Sequence, residues 1–166
     1  VERSRGLGDV YKRQVLLNIG IVRKFILPRI IQIFAGRNGA ITKETRTTKM
    51  GYEYRPDAVL YNLKRLNKKF PDKEIFITEN GIATDNDDER IEFVTTVLKD
   101  VHTFVSENSN VIGYLYWSLL DNFEWDLGYQ MNFGLVHVDR ETYKRIPHKS
   151  AEWFGKISSS NILSIT

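Results

Sequence analysis

Two glutamates invite a chemical reading. Glu79 closes the apolar run of "IFITENG", Ile75 to Gly81, and is followed at once by Asn80 and Gly81. Glu124 lies in "WSLLDNFEWDLGY", among Asp121, Asp126, Trp117, Trp125, Phe123 and Tyr129. Aromatic faces stack on the apolar C–H face of a pyranose ring, and carboxylates accept hydrogen bonds from its hydroxyls. Two carboxylates flanking a glycosidic bond are also the general requirement for its hydrolysis, and a separation of about 5–5.5 Å marks the retaining mechanism. From residue types and order alone, Glu79 and Glu124 would be the acid/base pair of a glycosidase. Each motif also has a plainer reading. Asn-Gly is a standard turn signal, so Glu79 taken singly is more simply a solvated turn residue. Phe123 is expected in the core. Trp117 and Trp125, interleaved with acids, read less easily as core.

The elements that would hold these side chains follow from periodicity. Pro56 and Asp57 open a helix whose apolar positions are Val59, Leu60, Leu63, Leu66 and Phe70, with Lys68 and Lys69 at its C-terminal end. A strand from Ile75 to Thr78 comes next, then an acidic loop around Asp85 to Asp88. A second helix presents Ile91, Val94, Leu98, Val101 and Val105. "VIGYLYWSLL", Val111 to Leu120, reads as a strand covered on both faces. "FGLVHVD", Phe133 to Asp139, reads as a short strand and His148 to Ile157 as a closing helix. Upstream, residues 15–34 read as one or two strands bent at Pro28, and residues 35–55 as a long loop of the kind that is more often functional than inert. Strands alternating with helices predict a parallel α/β layout, with ligands at the C-terminal ends of the strands. Glu79 falls at one such end, and Asp121, Asn122 and Glu124 fall just past another, so these acids are expected on one rim.

Composition narrows the class. The chain of 166 residues is one domain's worth, 42% hydrophobic and 27% charged. Its 24 basic and 21 acidic residues leave +3, too little and too dispersed to imply nucleic acid. It has no cysteine, hence no disulfide framework and no thiolate metal site, and His102, His137 and His148 lack metal-ligand spacing. The lack of cysteine tilts the location toward the cytoplasm. No apolar run approaches the roughly 20 residues a membrane span requires. Residues 1–14, "VERSRGLGDVYKRQ", show no helix or strand period and resemble translated adapter sequence; a flexible basic leader is the alternative. No signal peptide is visible, which decides nothing with an opening of this kind.

"IFITENG", then "GYLYWSLLDNFEWDLGYQMNFGLVHVD" and "KRIPHKSAEWF", together resemble glycoside hydrolase family 1, the β-glucosidase family. The likeness runs from Met50 to about Ile157. It implies an α/β fold, the C-terminal part of a (β/α)8 TIM barrel, with strands 7 and 8 and strand 6 as a further candidate, spanning residues 15–166. It also implies that Glu79 matches the nucleophile at the end of the seventh strand. Glu124 then matches the residue that grips the outer hydroxyls of the sugar, which displaces it from the acid/base pairing. Trp125 matches a further sugar hydrogen-bond donor, Trp117 an aromatic platform shared with the leaving group, and Phe133 an aromatic of the pocket wall. Arg90 falls near a family arginine at the start of a helix and reads as structural.

The implied activity is retaining hydrolysis of β-D-glucosides or related β-glycosides, with no cofactor or metal and no partner beyond the sugar substrate; the oligomeric state is left open. Three departures stand beside this. No Asn-Glu-Pro motif, the family's acid/base signature, occurs in the chain, so the chain alone is expected to be inactive. Its Asn-Tyr-Tyr segment is replaced by "LLNIGIVRKF", with Asn18 as a remnant. Asn132-Phe133-Gly134 stands where the family has Arg-Phe-Gly. A non-catalytic, carbohydrate-binding relative is the rival reading.

Overall fold

The computed structural model describes residues 46–108 and 110–163. The readings of residues 1–14, of the strands within 15–34, of Asn18 and of the loop before residue 46 lie outside the described residues.

Helix α1 (Ala58–Lys69) starts after Pro56 as its sequence requires. Asp57 is its N-cap without a side-chain cap bond, because Arg55 Nε and Nη2 hold that carboxylate. Val59, Leu63 and Leu66 are buried, as expected, and Asn62 is buried with them, donating to Ala58 O at 2.8 Å. Phe70 leaves the apolar row to become the C-cap, 36% exposed.

Strand β1 (Ile75–Asn80) runs two residues beyond the predicted end and takes in Glu79. Parallel neighbours need a long crossover, which helix α2 (Asp87–Asn108) supplies before strand β2 (Val111–Tyr116). The two strands pair in parallel, Ile75 with Val111, Ile77 with Tyr114 and Asn80 with Tyr116. Ile75 and Ile77 join Val59, Leu63, Leu66, Val94, Val97 and Phe104 in one core. On α2 the buried row is Arg90, Phe93, Val94, Val97, Val101 and Phe104. Val94 and Val101 were expected there. Ile91, Leu98 and Val105 lie at its margins, because α2 meets α1, the sheet and the closing helix at once and its buried face is wider than a single stripe.

Strand β2 is shorter than the predicted Val111 to Leu120 and is not covered on both faces among the described residues: Ile112 and Leu115 are 58% and 50% exposed. After Tyr116 the chain changes partner. The peptide bond from Trp117 to Ser118 is cis. Ser118 O accepts from Leu135 N at 2.9 Å, and Leu119 O accepts from Val136 N at 2.9 Å. The expected strand from Phe133 to Asp139 is reduced to β3 (Val136–Val138), which forms an antiparallel hairpin with an unforeseen β4 (Arg145–Pro147).

Helix α3 (Lys149–Ser160) closes the unit, with His148 as its N-cap. Its first turn docks on α2: Asp87 accepts from Ser150 N at 2.9 Å and Ser150 Oγ at 2.6 Å. Burial alone would push the Asp87 carboxyl up, but the two Ser150 bonds and Arg90 outweigh it and hold the group below its ordinary value. Residues 46–55, the described part of the expected long loop, form a small turn bridged at Thr47 and Glu53. Arg46 joins it to Glu89 and Glu92, and Lys49 joins it to Asp85. No helix among the described residues is long and apolar enough to cross a membrane.

Candidate functional site

Glu79 is the penultimate residue of β1 and is exposed at the C-terminal end of the parallel pair, where sites of α/β folds form. Asn80 pairs with Tyr116, and its carbonyl accepts from Trp117 N at 2.9 Å. The exit of β2 is therefore fastened beside Glu79. Asn80-Gly81 is not a hairpin turn, since β1 continues into the crossover. A Cβ on Gly81 would sit 1.8 Å from Trp117 O, so this position demands glycine by close approach. The Asn80 side chain accepts from Tyr114 Oη at 2.8 Å.

The segment from Trp117 to Gly128 carries most of the remaining candidates. Ser118 is buried, donating to Leu120 O at 2.8 Å and accepting from Asn122 Nδ2 at 2.9 Å. Asp121 departs from its expected place on the rim. It is 5% exposed and accepts from Gly134 N at 2.9 Å, His137 Nδ1 at 2.7 Å and Val138 N at 3.4 Å, which makes it an internal strut. Its lone-pair demand is met inside the protein, which is what permits the burial. His137 and His148, distant in sequence, come together with ring centroids 6.3 Å apart.

Beyond Asp121 the chain turns outward. Glu124 precedes a single 3-10 turn (Trp125–Leu127), closed by Glu124 N to Gly128 O at 2.7 Å and Gly128 N to Trp125 O at 3.1 Å. Trp125 is held at a positive φ of 44° and is 82% exposed. Phe123, expected in the core, is instead 60% exposed and meets Tyr129 edge to face at 5.2 Å. With β2 ending at Tyr116, no second layer reaches Phe123 among the described residues. Trp117, Leu119 and Leu127 of the same segment are also exposed.

Phe133 is tied to the same end of the sheet through its backbone, its carbonyl accepting from Tyr116 Oη at 2.9 Å and Ser118 N at 3.4 Å. Burial pushes the Tyr116 phenol up to about 12, so it stays a neutral donor. Arg90 is 1% exposed and donates to Thr84 O at 3.1 Å and Asn132 O at 3.0 Å besides its pairing with Asp87. It is structural, as read from the sequence: it stitches the β1 exit loop to the residue before Phe133. Asn132 adds a bond from Nδ2 to Asp85 Oδ1 at 2.7 Å.

Glu79, Trp117 and Phe133 thus share one end of the sheet, while Glu124 and Trp125 lie on the loop that follows β2. A cleft of about 320 Å³ lined by Asn86, Asp87, Asp88, Pro147, His148 and Lys149 contains none of these five residues. Among the described residues no group of three or more His, Asp or Glu is arranged to hold a metal ion.

Known proteins resemble this chain in sequence and in fold. A bifunctional β-D-glucosidase/β-D-fucosidase of Bifidobacterium breve is 38% identical over 120 residues, 64% of this chain and 26% of that protein. A 6-phospho-β-galactosidase of Leptotrichia buccalis is 40% identical over 114 residues, 63% of this chain and 24% of that protein. The solved family 1 β-glucosidase of Thermotoga maritima superposes with a TM-score of 0.71 at 34% identity, covering 75% of this chain and 31% of its own. The chain spans less than a third of the length of each of these three. Its fold is accordingly an α/β portion of their TIM barrel. The family likeness also reaches further than Met50 to Ile157: residues 31–162 match the description "Glycosyl hydrolase family 1", and the chain belongs to that family.

Proposed function

We propose that this chain carries the nucleophile and sugar-binding half of a retaining β-glycosidase acting on β-D-glucosides or related β-glycosides. The observation that carries the reading is the bond from Trp117 N to Asn80 O, which fastens the aromatic-rich loop to the strand end that bears Glu79. Glu79 would attack the anomeric carbon, and its carboxylate oxygen would form the glycosyl ester as the leaving group departs with a proton from a second carboxylic acid. Glu124 and the indole N–H of Trp125 would hold the sugar hydroxyls. Trp117 and Phe133 would supply apolar surface for the ring and the leaving group. Family membership and the names of the relatives support the reaction class.

The second carboxylic acid is not among these residues, since the chain contains no Asn-Glu-Pro. Loss of general acid catalysis costs about 10²–10⁴ in rate, so residues 1–166 alone should give no measurable hydrolysis of an unactivated β-glucoside. Robust turnover of cellobiose by this chain would overturn that division of labour.

The test of the reading is a chimera in which this chain replaces the matching segment of the Thermotoga maritima β-glucosidase. It should hydrolyse an aryl β-glucoside, and Glu79→Gln should lower kcat by about 10³-fold or more. A Glu79→Gln chimera as active as its parent would refute the assignment.

A further inference from the structure

Asp121 is the point through which the loop bearing Trp117, Glu124 and Trp125 is anchored. Its side chain, 3% exposed, takes N–H donors from Gly134, His137 and Val138. Its own N–H donates to Val136 O at 3.1 Å, and its carbonyl accepts from Arg140 Nη2 at 2.7 Å. Arg140 also lies over the Tyr129 ring at 4.1 Å and so grips the far arm of the loop. Gly134, next to Phe133, is a glycine of necessity, since a Cβ there would lie 2.4 Å from Asp121 N and 2.8 Å from Asp121 Oδ1. Two of these side-chain anchors are backbone N–H groups whose state never changes. The third is an imidazole, 42% exposed, which can gain a proton.

We propose that Asp121 and His137 are a positioning pair for the loop that presents Trp117, Glu124 and Trp125, and that the charge on the His137 imidazole adjusts where that loop sits. A carboxylate only accepts, so Nδ1 of His137 donates to it in either state, and the bond becomes charge-assisted when the ring is protonated. Among the described residues the titratable and charged groups around this pair are Asp121 and Asp139, His148 at the start of α3, Arg140, which bonds Asp121 O, and Arg145 on the paired strand β4, whose guanidinium turns to Tyr143 O. Neither Asp121 nor His137 is placed against the sugar, and both act through the loop. The consequence for sugar binding rests on the reading proposed above, but the pairing itself is tested without sugar.

The experiment follows the indole N–H resonances of Trp117, Trp125 and Trp153 in the full chain while pH is taken through the titration of the His137 ring, recorded in the same samples. The Trp117 and Trp125 signals should move with the His137 titration, and Trp153, on α3, should not. His137→Gln keeps an N–H donor but cannot titrate, so the loop indoles should stay near their parent positions and lose the pH-dependent movement. His137→Phe should displace them at every pH, and His148→Gln should leave the movement intact. Flat Trp117 and Trp125 signals through the His137 titration would overturn the proposal. So would movement that persists in His137→Gln, or movement of Trp153 by as much. The parent titration decides by itself if a variant fails to fold, and a negative result leaves the assignment of Glu79 untouched.

Discussion

The carbonyl of Trp117 packs onto Gly81 so closely that a Cβ there would lie 1.8 Å from its oxygen. The atom in the way is backbone and cannot rotate aside. Gly81→Ala should therefore part the ends of β1 and β2 and destabilise the chain by about 1–3 kcal/mol. Gly155 is the control, since it sits inside α3 with nothing within 4 Å of its virtual Cβ. Gly155→Ala should stabilise by about 0.5–1 kcal/mol. Urea midpoints of the two variants moving in the same direction would contradict this account of Gly81.

Arg90 should be among the most costly residues to replace. It is buried at 1% exposure and bonds two carbonyls and a carboxylate from three segments. Arg90→Met leaves those acceptors buried without their donor, a loss of about 3–5 kcal/mol. Arg90→Lys cannot span both carbonyls and should restore little. The measurement is the unfolding free energy of each variant, and a near-wild-type Arg90→Lys would show that charge alone suffices.

The joint between α2 and α3 should be acid-sensitive. Because the Asp87 carboxyl is held below its unfolded value, its contribution is complete above about pH 4 and is lost as pH falls through the folded value. Ser150→Ala removes one of the bonds that lower it, at a cost of about 1 kcal/mol at neutral pH. The stability gap between parent and Ser150→Ala should narrow as pH drops from about 6 to about 3. A gap that is constant across that range would place the Ser150 effect elsewhere.

Much of the fold was legible because helical and strand periods are local. Val59, Leu63, Leu66, Val94 and Val101 are buried where their spacing put them. What escaped depends on partners distant in sequence. "VIGYLYWSLL" is one apolar run, but its second half turns from β1 to the segment at Leu135 and Val136, and no feature of the run itself records that change. Asp121 and Glu124 are alike in composition terms. One is internal because Gly134 and Val138 offer N–H groups to it, and the other sits at an open turn. Phe123 was assigned to the core by residue type alone and lies on the surface. The place of Glu79 at a strand end and the structural character of Arg90 were readable from order and family likeness, whereas the bonds of Arg90 to Thr84 O and Asn132 O were not.

Substrate choice should follow from Glu124. A carboxylate there would face the dianion of a 6-phosphorylated sugar, and like charges at about 4 Å cost on the order of 1–4 kcal/mol. A free 6-hydroxyl would instead donate to it, a bond of roughly 1.5–3 kcal/mol. Although one relative is a 6-phospho-β-galactosidase, the chimera should have the higher kcat/KM for an aryl β-glucoside than for its 6-phosphate. Glu124→Ser should narrow that difference. Preference of the parent chimera for the phosphorylated substrate would remove Glu124 from the sugar hydroxyls.

The assignment of Glu79 is tested most directly by chemical rescue. In the chimera, Glu79→Ala should bind sugar but not turn over, and added azide should restore cleavage of an activated aryl β-glucoside by occupying the space of the missing carboxylate. Attack from that face gives the α-glycosyl azide, identifiable by the anomeric proton coupling of the product. An α-azide is the result expected if Glu79 is the nucleophile; a β-azide would put Glu79 in the acid/base role and contradict the account.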